Sequence, residues 1–131
     1  TFAMKNHYGT IDRPQAFHAG IGRAIAELNA LPPIKDRTRL IVGDVLTACL
    51  RYANSWPYWE SDFTGDSILM SFDPVAHDTV GLQTLSQLLT DDGGNPAAIT
   101  NMATPCLENG AELGLGTNDL DSIELVEVTL G

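Results

Sequence analysis

The pattern of apolar and polar positions changes several times along the chain, and each change predicts an element. Phe17, Ile21, Ile25 and Leu28 recur at helical spacing behind Pro14, a residue suited to the first turn of a helix because its missing amide hydrogen has no partner there anyway. That helix should stop before Pro32-Pro33, since proline disfavours helical backbone in the residue preceding it. Leu40, Ile41, Val42, Val45 and Leu46 then form a short, nearly continuous apolar run around Gly43 and Asp44, the pattern of a strand buried on both faces. From Thr47 to Asp66 no period is visible, which predicts a long surface loop carrying Trp56, Pro57, Tyr58 and Trp59. Ser67 to Phe72 reads as a second buried strand.

Asp73-Pro74 is a strong helix start, a capping carboxylate followed by proline at the first helical position. Val75, Ala76, Val80, Leu85, Leu88 and Leu89 supply a broad apolar face up to the turn at Asp91, Asp92, Gly93 and Gly94. Asn95-Pro96 repeats the start signal, and Pro105 predicts a division of the helical region that ends near Gly114 or Gly116. Ile123 to Leu130 reads as a final strand. The order predicts a single α/β domain over residues 1–131, with a small, mostly parallel or mixed sheet of three or four strands flanked by helices.

Charge sharpens this picture. The chain has 131 residues and a formal net charge of −10. All seven lysines and arginines lie in the first 51 residues against four acids, a net +3; the remainder has thirteen acids and no base, a net −13. With its bases read as dispersed rather than clustered, such a chain is not expected to bind nucleic acid, whose phosphates it would repel. No apolar run approaches the roughly 18 to 20 residues of a membrane span. Cys49 and Cys106 cannot supply the four thiolates of an iron–sulfur cluster, and are expected to be buried thiols.

The glycine motifs carry little chemistry. Gly20-Ile-Gly22 lies inside a predicted helix, where close helix packing explains it better than dinucleotide binding. Gly114-Leu-Gly116 fits helix termination. Asp119, Asp121 and Glu124 lack the spacing of a calcium loop. More informative are Asp44 and Asp73, each beside an apolar run. If the two strands were parallel, both would lie outside the carboxyl ends of the sheet, where open α/β folds bind ligands. Asp73, His77 and Asp78 fall close together on the first turns of one helix, so Asp44, Asp73, His77 and Asp78 are candidate ligands for a divalent cation. The local alternative makes Asp73 a cap and leaves His77 exposed.

Met4-Lys-Asn-His-Tyr-Gly9 followed by Phe17-His18, the strand with Asp44, and Ser71-Phe-Asp-Pro-Val-Ala-His-Asp78 together resemble the family called domain of unknown function 362. Glu112 to Gly116 leading into Ile123 to Val128 resembles its close, so the likeness spans nearly the whole chain in the family's order. Lys5, Asn6, Asp44, Asp73 and Asp78 occupy the motif positions. Some members carry ferredoxin-like iron–sulfur modules or export signals, so the resemblance implies a redox-associated enzyme and is compatible with export. It also implies preceding chain, whose missing part would be a partner of this domain. Asn54 to Trp59 depart from the family's more glycine-rich loop.

The leading expectation is therefore an α/β domain binding a small molecule or divalent cation, with Lys5, Asn6, His18, Asp44, Asp73 and Asp78 as candidate ligand-binding residues. The alternative is a non-catalytic interaction domain that uses its acidic surface and the Trp56 to Trp59 loop.

Overall fold

A computed structural model describes residues 2–50, 61 and 63–131. Pro14 does not open an α-helix. It opens a 3-10 segment, Pro14–Gly20, which follows another at Met4–Thr10. Residues 15–20 are all exposed, so no packing pulls them into α geometry. The α-helix begins where the apolar stripe meets the core, as α1 (Ile21–Asn29), with Ile25, Ala26 and Asn29 buried. Leu31 then turns into extended backbone before Pro32, and the two prolines start a one-turn helix, α2 (Pro32–Lys35).

Two strands follow, β1 (Ile41–Ala48) and β2 (Phe63–Ser71). They occupy both ends of the stretch read as loop; its centre, residues 51–60 with Trp56 to Trp59, lies outside the described residues. The strands pair antiparallel, Ile41 opposite Ser71 and Ala48 opposite Phe63, in a two-stranded sheet. This corrects the expected parallel or mixed sheet of three or four strands: β1 and β2 run in opposite directions, and Ile123 to Leu130 forms no strand. Burial on both faces is corrected too. Ile41, Gly43 and Val45 are buried, while Leu40, Val42, Leu46, Ile68, Met70 and Phe72 are exposed, because the described helices cover only one face.

The helices after the sheet follow the sequence closely. Asp73 caps α3 (Pro74–Asp91), its Oδ1 accepting from the amides of Val75 and Ala76 at 2.8 Å each. The next helix, α4 (Ala97–Glu112), is continuous through Pro105, so the expected division does not occur. Pro105 sits on the exposed side, and the buried row Ala103, Cys106, Leu107 and Gly110 holds the helix against its neighbours. That packing outweighs a local penalty of about 3 kcal/mol. Gly22 of α1 explains the closeness: a Cβ there would stand 2.9 Å from Pro105 Cβ. Close helix packing thus accounts for Gly22, whereas Gly20 is exposed before α1 with nothing within 4 Å of a Cβ position. At its end α4 closes with Leu115 donating to the Gly110 carbonyl and Gly114 to that of Ala111, with Gly114 at φ +66.

Met4, Tyr8, Ile25, Ala26, Val75, Cys106 and Leu107 form the central core, which joins the N-terminal segment to α1, α3 and α4. Among the described residues no helix is long and apolar enough to cross a membrane.

Candidate functional site

The two aspartates of α3's opening are occupied by the backbone. Besides capping the helix, Asp73 accepts from the Thr117 amide through Oδ2 at 2.9 Å, which ties the segment after α4 to the start of α3. Asp78 is buried and accepts from the amides of Ala3 at 2.8 Å and Met4 at 3.0 Å. Asn29 completes the clamp by donating to the Met4 carbonyl at 2.8 Å. The two sequence blocks Met4 to Gly9 and Ser71 to Asp78 are thus joined physically by a carboxylate receiving amides.

His77 is not the exposed residue of the local alternative. Its side chain is buried, Nδ1 lies 2.9 Å from Asp78 Oδ1, and its ring meets Phe2 edge to face. The ring packs directly beneath Gly43, where a Cβ would stand 2.5 Å from Nε2. Nε2 has no hydrogen-bond partner among the described residues. Nearby, burial together with the Asp78 charge pushes the Cys106 thiol up to about 11, so this cysteine is protonated and unreactive at neutral pH.

The remaining candidates separate. Asp44 is in mid-strand, and its Oδ1 accepts from the Leu46 amide at 2.7 Å, beside the register shift between Val45 and Thr47. Because the strands are antiparallel, their carboxyl ends point opposite ways, and the shared strand-end position for Asp44 and Asp73 is lost. Lys5 borders a smaller apolar cavity of about 260 Å³ walled by Ile25, Leu82, Leu85 and Met102. His18 is exposed and rests edge to face on Tyr8, ring centres 5.5 Å apart. Among the described residues no group of three or more His, Cys, Asp or Glu is placed to hold a metal ion.

What the structure does assemble is a cleft of about 920 Å³ along β1. One wall is Leu40, Ile41, Val42, Gly43 and Asp44; the others come from Phe2, Asn6, His7, Asn29, Phe72 and Leu115. Lys35, Arg37 and Arg39 also line it, with Asp44 as the lining carboxylate. Arg39 donates to the carbonyls of Asp36 and Thr38, and Lys35 reaches the Leu113 carbonyl at 3.5 Å. The Arg37 guanidinium has no hydrogen-bond or ion-pair partner among the described residues, and the buried His7 Nδ1 likewise lacks one. The basic residues are therefore clustered, contrary to the expectation of dispersal. Their spacing at 35, 37 and 39, directly before an apolar run, was the available signal. Of the six ligand-binding candidates, Asn6 and Asp44 line this cleft, and Asp73 lies between its lining residues Phe72 and Pro74.

No curated protein and no solved structure matches the chain. The family model described as Domain of unknown function (DUF362) matches residues 1–83, which include the Met4 to Gly9 segment, β1, β2, the opening of α3 and all three bases of the cleft, and the chain belongs to that family.

Proposed function

We propose that this domain binds a small anionic ligand, bearing carboxylate or phosphate groups, in the cleft beside β1. The observation that carries this reading is the gathering of Lys35, Arg37 and Arg39 in one cavity of an otherwise acidic chain, with Asp44 already turned to its own strand. A guanidinium without a protein partner is suited to a bidentate hold on carboxylate or phosphate oxygens. The volume suits an organic ligand. Phe2, Leu40, Phe72 and Leu115 would take its apolar part, while Asn6 and His7 offer further polar contacts. A divalent cation has no comparable support, since the carboxylates expected to hold it are engaged by backbone amides.

Calorimetric titration with pyrophosphate and citrate at constant ionic strength tests this. Binding is expected in the native chain and should weaken by roughly tenfold or more in Arg37→Ala/Arg39→Ala, the loss of about 1.4 kcal/mol or more. No heat beyond that of matched chloride, or equal binding by the double variant, would overturn the reading.

A further inference from the structure

The cleft has the form of a strand site. Five consecutive residues, Leu40 to Asp44, make one wall, and among the described residues β1 pairs on one side, with β2. Its other edge is an unpaired row of amides and carbonyls, a template for an added strand. Beyond that edge, the outward residues Val42 and Met70 are paired neighbours, and with Leu40, Leu46 and Ile68 they leave one sheet face apolar and uncovered.

The same chain carries a segment of complementary chemistry. Residues 123–130 have a strand-like sequence but no strand partner, and Val126, Val128 and Leu130 are 71%, 77% and 90% exposed. In extended backbone these three alternate residues share one side. The segment is as long as β1. From Asp119 onward it holds Asp119, Asp121, Glu124 and Glu127 and no base, opposite in sign to Lys35, Arg37 and Arg39. Thr117, at its root, is fixed to Asp73, and the segment beyond stays outside its own cleft.

We infer that the C-terminal segment of a second copy occupies this cleft as an added strand on β1. Its carboxylates meet the three bases, and its apolar side extends the uncovered sheet face. Reciprocal exchange gives a two-fold dimer in which every contact is made twice. The inference rests on the reading that the cleft recruits anionic groups.

The test is the mass of the full chain by light scattering and sedimentation across micromolar concentrations. A dimer of the 14.1 kDa chain is expected, dissociating as salt rises and on addition of a peptide of residues 117–131. Val126→Asp/Val128→Asp, at exposed positions that leave the fold intact by circular dichroism, should be monomeric. Arg37→Glu/Arg39→Glu should also be monomeric, with dimer restored when Glu124→Lys/Glu127→Lys is added. A monomer at every concentration, or a dimer indifferent to the tail variants, overturns the inference. So does a monomer whose own tail amides are protected from exchange, which would place the segment in its own cleft. Pyrophosphate binding by a chain that stays monomeric would sink the strand exchange and leave the small-anion reading standing. A tail-dependent dimer that binds no pyrophosphate would do the reverse.

Discussion

Asp73 and Asp78 flank the first turns of α3, yet they hold different parts of the chain. Asp73 serves two helix amides and the Thr117 amide in a half-buried position. Asp78 serves the Ala3 and Met4 amides and His77 where all of its side chain is out of solvent. Loss of a cap costs about 0.5 to 2 kcal/mol, whereas removing a buried carboxylate leaves its donor amides unpaired at about 1 to 3 kcal/mol each. Asp78→Ala is therefore expected to lower the urea midpoint more than Asp73→Ala. It should also release the amides of Ala3 and Met4 to hydrogen exchange, while Asp73→Ala frees that of Thr117. The reverse order of midpoints would show that the N-terminal segment contributes little to the core. The cap at Asp73 was legible in the sequence because it is local: aspartate, proline, then a helical stripe. The clamp at Asp78 was not, since its partners are some 75 positions away and a motif aspartate looks the same whether it binds a ligand or an amide.

Among the elements, those whose signals are local were read well and those whose pairing is distant were not. α3 begins and ends where the cap and the glycine turn place it. The sheet was misread because Leu40, Val42 and Leu46 are apolar although exposed, so β1 mimics a strand buried on both faces. Pro105 misled in the other sense, since a local breaker was overruled by the buried row of α4 against α1. That contest can be measured. Pro105→Ala keeps the Cβ that meets Gly22 and restores a helix amide at an exposed position. It is expected to raise stability by about 1 to 3 kcal/mol, read as a higher thermal midpoint with unchanged helix content. A lower midpoint would mean that the proline ring itself is needed in the contact with α1.

For the whole molecule the governing quantity is charge asymmetry, with bases confined to the first 51 residues and thirteen acids beyond them. Two outcomes compete. Attraction between the halves would make the fold weaken as salt rises; repulsion among the carboxylates would make it strengthen. Two exposed ion pairs among the described residues are local: Arg13 with Asp12, and Arg23 with Glu27 in one helix. The cleft bases donate to backbone carbonyls or to nothing described, not to the acids of the second half. Among the described residues the cleft bases thus add no organised attraction across the halves, and repulsion among the thirteen acids should win. Raising sodium chloride from about 0.01 to 0.15 M shortens the screening length from about 30 to 8 Å. At concentrations low enough for the chain to be monomeric, the thermal midpoint should rise by a few degrees, on the order of 1 kcal/mol for a chain of this size. Because this gain comes from the acids, it should persist in Arg37→Ala/Arg39→Ala, whereas added stabilisation by pyrophosphate at constant ionic strength should vanish there. A midpoint that falls with chloride would show that the two halves hold each other by long-range attraction, and that the cleft bases are already neutralised by the acidic half.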